Sequence, residues 1–287
     1  MKILAIGDFQ GTFPEKLKRK ITKEEFDLII GVGDYTGISD WRPFIMKQLR
    51  VALKGTRLTP QEYFGKEKYK VLLKKDYAAG KNILSEINKL NKPCISVFGN
   101  GDWYKYPFDK KIANDKKNYE PFVKKLKNLT NINYGKTKFQ GTNFVGFGGY
   151  MDIDAFFDRK KWKEDDLKRH KDRVSRRAKS RKHFFKILKK TSGERIFVFH
   201  YPPKGVFDII RDKKDNPMNG KSAGIDFFAE AIKKYKPKLV LCGHMHEYQG
   251  LKYLHGSPVI NPGDAEKGKC AIINLDGNKK IGVKFIK

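Results

Sequence analysis

Eight residues of this 287-residue chain are of kinds that hold metal ions or move protons, and each lies just beyond a short apolar run. They fall in five blocks: Gly7-Asp8-Phe9-Gln10-Gly11, Gly33-Asp34-Tyr35-Thr36-Gly37, Gly99-Asn100-Gly101-Asp102, His200, and Gly243-His244-Met245-His246. Taken singly, the blocks are commonplace. A Gly-Asp or an asparagine after a strand is an ordinary turn, and a lone histidine at a strand end is usually structural. The series is more specific. A carboxylate has two oxygens, so one aspartate can bridge two cations about 3.5–4 Å apart, and Asp34 is the candidate bridge. In an extended segment residues i and i+2 face the same side, so His244 and His246 can reach one centre. Asn100 adds a neutral amide oxygen, and Asp102 can orient a neighbour or accept a proton. One bridging carboxylate with two ligand clusters is the equipment for two-metal hydrolysis of a phosphoester.

The elements that must position these blocks are legible from apolar patterning. Nearly continuous Val/Ile/Leu/Phe runs at 2–6, 27–32, 94–98, 143–147, 195–199 and 238–242 read as strands buried on both faces. Two more, 270–275 and 280–286, flank the hairpin-type turn Asp276-Gly277-Asn278. Helical spacing marks 14–21, 78–90 (Ile83, Leu84, Ile87, Leu90), 120–129 (Phe122, Leu126, Leu129) and 222–235 (Ile225, Phe228, Ala229, Ile232). Alternating strand and helix predicts an α/β fold, with ligands at strand C-termini where open α/β sheets place their sites. The expectation is a single domain over 1–287 with helical insertions. Residues 152–190 form the largest insertion. The segment 41–65 is a second insertion or a lid near the site.

Composition sets limits. The chain is 39% hydrophobic, enough for a core. No apolar stretch approaches the ~20 residues that cross a membrane, and 2–6 is too short for a signal-peptide core. Cys94, Cys242 and Cys270 are scattered, with no Cys-x-x-Cys pair and no disulfide framework, so a cytoplasmic setting is expected. Lys+Arg number 62 against 32 Asp+Glu, a net charge of +30. Residues 159–190 hold sixteen Lys/Arg and four Asp/Glu, with neither Gly nor Pro. That segment predicts one or two helices. Their cations form either a solvated face or a contact surface for a nucleic-acid backbone.

The order Asp, Asp, Asn, His, His-x-His at successive strand exits resembles the calcineurin-like metallophosphoesterase superfamily. The likeness runs from Asp8 to His246 and extends to Asn261-Pro262-Gly263, which is similar to a segment of the smaller bacterial and archaeal phosphodiesterases. It implies a four-layer α/β/β/α sandwich around a dinuclear centre. Asp8, Asp34 and His246 would hold the first metal; Asp34, Asn100, His200 and His244 would hold the second. The pair would be manganese first, with iron, zinc, magnesium or nickel as alternatives, and would generate a bridging hydroxide to attack phosphorus. Asp34, Asn100, Asp102 and His200 are the expected catalytic residues.

Two positions depart from the family's pattern. Its first block usually reads Asp-x-His, where this chain has Asp8-Phe9-Gln10. Gln10 remains a candidate ligand through its amide oxygen, a poorer donor to transition metals than imidazole. Its third block usually reads Asn-His-Glu/Asp, where this chain has Asn100-Gly101-Asp102. The missing histidine removes proton or phosphate assistance worth ~10²–10⁴-fold. His255 or a tyrosine could replace it, or the substrate could carry a good leaving group. The expected function is a metal-dependent phosphodiesterase acting on nucleotides or nucleic acid. A non-catalytic nucleic-acid-binding protein on the same scaffold and a phosphomonoesterase are the alternatives. A dinucleotide-binding reading of Gly31-Val32-Gly33-Asp34 fails, because the third glycine is absent and a carboxylate stands where a pyrophosphate would lie.

Overall fold

A computed structural model describes residues 1–54, 58–104, 118–148, 164–212, 216–275 and 281–287; for residues 164–170, 172 and 173 it describes the backbone alone. In chain order the strands are β1 (Lys2–Ile6), β2 (Leu28–Gly31), β3 (Cys94–Ser96), β4 (Leu129–Asn131), β5 (Gly135–Phe139), β6 (Thr142–Phe147), β7 (Arg195–Phe199), β8 (Leu239–Leu241), β9 (Gly250–Leu254), β10 (Ser257–Asn261), β11 (Cys270–Asn274) and β12 (Gly282–Ile286). The helices are α1 (Glu15–Ile21), α2 (Arg42–Ala52), α3 (Pro60–Phe64), α4 (Lys66–Lys89), α5 (Glu120–Val123), α6 (Glu164–Lys189) and α7 (Asp226–Tyr235).

The strands form two six-stranded sheets, ordered β12-β11-β1-β2-β3-β4 and β5-β6-β7-β8-β10-β9. Each has four parallel strands, β1 to β4 in one and β6, β7, β8 and β10 in the other. Antiparallel strands flank both sets. The inner parallel strands are buried on both faces, which is why most of them read as continuous apolar runs, whereas β4 at the sheet edge exposes Thr130. Between the sheets, Ile3, Leu28, Ile30 and Ile95 meet Phe144, Ile196, Val198 and Leu241. The outer face of the first sheet buries Leu4, Ile6 and Ile29 under Leu17, Ile83, Leu84 and Ile87 of α1 and α4. The outer face of the second buries Val145, Phe197 and Phe199 under Phe184, Leu188, Phe228 and Ile232 of α6 and α7. The result is the α/β/β/α sandwich. Each large aliphatic side chain in these layers contributes ~1.5–3 kcal/mol by leaving water.

Several boundaries differ from the sequence expectation. The helix expected over 78–90 begins twelve residues earlier, at Lys66. The helix expected over 120–129 is one turn, Glu120–Val123, and Leu129 opens β4 instead. Asn128 causes the change, since it pairs with Asn88 and its carbonyl accepts the Cys94 amide at 2.6 Å, drawing the chain alongside β3. The helix expected from 222 starts at Asp226, because Ser222 and Ile225 bridge to Ile209 and Pro203. The turn at 276–278 and the first part of the 152–190 segment lie outside the described residues.

Candidate metal centre

Loops leaving β1, β2, β3, β7 and β8 converge at one edge of the two sheets. The chain is strained there. Asp8, Gln10, Asp34 and His244 all adopt positive φ, at 56°, 47°, 53° and 68°. L-residues enter that region at a cost, and they do so mostly where function needs a side chain aimed awkwardly. Close approach also demands glycine. A Cβ on Gly99 would lie 2.2 Å from Asp34 Oδ1 and 2.6 Å from His200 Cε1, and one on Gly243 would lie 2.6 Å from Asp8 Oδ2.

Two donor clusters result. Asp34, His200 and His244 each offer one ligand atom, all within 4.8 Å of one another; Asp8, Asp34 and His246 form a second such set. Asp34 belongs to both. In the first of these clusters His200 Nε2 lies 2.9 Å from Asn100 Oδ1, 3.3 Å from His244 Nδ1 and 3.5 Å from Asp34 Oδ1. His200 Nδ1 sits 2.9 Å from the Val32 carbonyl, which fixes the ring with its Nε2 lone pair facing the cluster. In the other, His246 Nε2 is 3.5 Å from Asp8 Oδ1, while the His244 amide donates to both Asp8 oxygens at 3.0 and 3.1 Å. The Gln10 amide reaches Asp34 Oδ2 at 3.4 Å, so it borders the Asp8 cluster.

Electrostatics suit cation binding. Burial lifts the Asp34 carboxyl above its usual range, opposed by His200 and reinforced by Asp8. Burial, with the neighbouring His200 and His246, holds His244 well below the usual imidazole range, so it is neutral as a ligand must be. Burial disfavours a charged His246, but Asp8 outweighs it and the ring sits at about 9. Oxygen and nitrogen donors crowd together with excess negative charge around Asp34. A divalent pair fits that set by ligand type and by the carboxylate of Asp34 that the two clusters share.

Asp102 does not face the cluster. Its carboxylate accepts the amides of Asp34 and Gly99 at 2.8 Å on Oδ2, and of Tyr35 and Thr36 at 2.8 and 3.2 Å on Oδ1. Burial and Asp34's charge push its carboxyl well upward, and these amides pull it back. Asp102 therefore ties the Asp34 loop to the Asn100 loop. A second clasp was not read from the sequence. Asp76 of α4 accepts the Gly37 and Ile38 amides at 3.1 and 3.0 Å and the Trp103 indole at 2.8 Å. A carboxylate amid the lysines of a helix looks like a surface charge, and only its burial distinguishes it.

His255 is not a substitute for the missing histidine. It sits at the turn before β10, six residues from Asn261 at the end of that strand that enters the centre. Among the described residues, Tyr201 lies beside the cluster, its ring packed on His244 at 4.1 Å. The segment 41–65 begins just beyond the Asp34 loop, and α2 reaches across to the chain following His200. Arg42 pairs with Asp212 at 2.8 Å, and Met46 and Leu49 pack on Met218. Asn261 donates to the Met245 carbonyl at 3.3 Å and so holds the His-x-His loop.

One solved structure matches this fold over 100% of this chain and 99% of its own at TM-score 0.64 and 20% identity. A protein from Thermus thermophilus matches over 99% and 97% at TM-score 0.50 and 19% identity. A dimetal phosphatase from Danio rerio matches over 100% and 96% at TM-score 0.50 and 10% identity. At these identities the likeness concerns fold alone. No curated protein matches the chain. A family model for metallophosphoesterases of the calcineurin superfamily matches residues 1–285, nearly the whole length. With its sandwich, its strand-end donor series and this match, the chain belongs to the calcineurin superfamily of metallophosphoesterases.

Proposed function

We propose that this protein is a metal-dependent phosphodiesterase acting on nucleotides or nucleic acid. The observation that carries the reading is the pair of donor clusters sharing Asp34. Asp8, Asp34 and His246, with Gln10 at the edge, would hold one cation; Asp34, Asn100, His200 and His244 would hold the other. When bound, such a pair supplies Lewis acidity that lowers the pKa of water and neutralises phosphate charge. The chain does the positioning. His200 is locked by Val32, His244 is kept neutral by burial, and Asp102 and Asp76 hold the loops that carry Asp34 and Asn100. Gln10, an oxygen donor in place of an imidazole, favours a harder ion such as Mn²⁺ or Mg²⁺.

No side chain extends from position 101 to protonate a leaving oxygen, so the reading favours substrates whose leaving group departs without that help. The basic helix α6 supports a polyanionic substrate. Its arginines Arg177 and Arg181 pair with Asp226 and Glu230 of α7, while Lys171, Lys179, Lys182, Lys186 and Lys189 line its exposed face. Among the described residues no helix is long and apolar enough to cross a membrane, and the three thiols are buried and unpaired, in keeping with the proposed cytoplasmic setting. Initial rates on matched aryl diesters and monoesters with Mn²⁺ test the assignment. Faster diester turnover is expected. Faster monoester turnover would make the protein a phosphatase, and no turnover with any divalent ion would leave a binding protein on this scaffold.

A further inference from the structure

Asp264 is fully buried, yet the donor clusters do not include it. It follows β10 in Asn261-Pro262-Gly263-Asp264 and opens a short turn fixed to the Asp8 loop. The Ala265 amide donates to the Gly7 carbonyl at 3.0 Å, and the Glu266 amide to the Asp8 carbonyl at 3.3 Å. Asn261 holds the other side through Met245. One segment thus braces both the Asp8 loop and the His246 loop.

The carboxylate itself is only half used. Its Oδ2 takes Lys267 Nζ at 2.5 Å and lies 3.8 Å from His246 Nδ1. Its Oδ1 is buried with no hydrogen-bond partner among the described residues. A buried carboxylate oxygen without a donor is costly, and such exceptions call for a specific cause. The two nitrogens at this carboxylate, Lys267 Nζ and His246 Nδ1, both lie nearest Oδ2, and one oxygen for each would leave neither unused. His246 directs Nε2 at Asp8, so its other nitrogen needs an acceptor to fix the tautomer. His200 solves the same problem with the Val32 carbonyl. A metal-binding histidine with a carboxylate behind it is the more basic ligand, which would offset the weaker donor at Gln10.

We propose that Asp264 is a positioning residue that accepts the Nδ1–H of His246 and so aims the Nε2 lone pair into the Asp8–Asp34 cluster. This rests on the reading that Asp8, Asp34 and His246 hold a cation. The test therefore reads binding rather than turnover.

Mn²⁺ titration calorimetry on the full chain compares the wild type with Asp264→Ala, His246→Ala and the double variant. The wild type is expected to show two binding events. Asp264→Ala should weaken one of them by about 10–100-fold and spare the other, and the double variant should bind no worse than His246→Ala alone. Unchanged affinities, equal losses at both events, or additive losses would overturn the proposal. A wild type that binds no Mn²⁺ would overturn the reading of the centre and this proposal with it. If Asp264→Ala fails to fold, the wild-type ring reports directly. A long-range ¹H–¹⁵N spectrum of the Zn²⁺-loaded protein should show His246 protonated at Nδ1, and a proton on Nε2 contradicts the assignment.

Discussion

The Gly101 amide donates to Asp34 Oδ1 at 2.8 Å, and the chain has closed over the space a side chain would need. A Cβ at Gly101 would lie 3.1 Å from the Thr36 carbonyl oxygen, 3.2 Å from Asp34 Oδ1 and 3.3 Å from Gly37 Cα. Where the family carries a histidine, this chain has a glycine in contact with the Asp34 loop. Gly101→Ala is expected to destabilise the protein by about 1 kcal/mol through overpacking, measured by denaturant unfolding. Gly101→His should not raise diester turnover, because accommodating the ring shifts Asp34. A tenfold gain would mean that the acid had simply been lost and could be restored.

If no other group replaces the proton donor missing at 101, the leaving oxygen of the proposed reaction departs as an anion. Turnover of a substituted aryl diester series should fall steeply as the leaving phenol's pKa rises. A shallow dependence would point to a proton donor elsewhere, with Tyr201 the first to test through Tyr201→Phe.

Asp102 satisfies four backbone amides at once. Asp102→Ala leaves them buried without an acceptor and is expected to cost roughly 3 kcal/mol of stability, since each unsatisfied group costs ~1–3 kcal/mol and some will find water. Metal affinity should fall as well, because the Asp34 and Asn100 loops lose their tie. A variant with wild-type unfolding behaviour would show that the clasp is dispensable.

If the exposed face of α6 contacts polyanions, changing Lys179, Lys182, Lys186 and Lys189 to Gln should weaken binding of a single-stranded oligonucleotide. The slope of log affinity against log salt should drop by up to about 3. Turnover of a small aryl diester should not change. The control removes Lys66, Lys68, Lys70 and Lys74 from α4, which are equally exposed. Equal losses from both sets would reduce the α6 effect to net charge.

Most of the parallel strands were readable because burial on both faces makes them apolar throughout; β1 and β7 fall where the pattern places them, while β4, at a sheet edge with Thr130 exposed, carries no such run. Strands β5 and β9 were missed because they lie at a sheet edge and expose alternate residues, as in Gly135-Lys136-Thr137-Lys138-Phe139. β10 was missed because Pro258 interrupts a short run. The first turns of α4 carry Tyr69, Leu72, Leu73 and Tyr77 at helical spacing, but Asp76 interrupts that stripe and exposed Val71 and the flanking lysines obscure it. At the site, the strand-end blocks announced themselves by residue type. Asp76 and Asp264 did not, because a supporting carboxylate is defined by what donates to it, and spacing in the chain carries no trace of that.

The central claim is that Asp34 serves both cation sites of a diester-cleaving centre. The most direct measurement is Mn²⁺-stimulated hydrolysis of bis(p-nitrophenyl) phosphate by the wild type and by Asp34→Asn, with Mn²⁺ bound per chain counted in each. Turnover and two ions are expected for the wild type, and for Asp34→Asn a loss of at least about 10²–10³-fold, comparable to removing one key electrostatic group, with fewer ions held. Hydrolysis that survives the substitution, or a wild type that binds two ions and cleaves nothing, would contradict it.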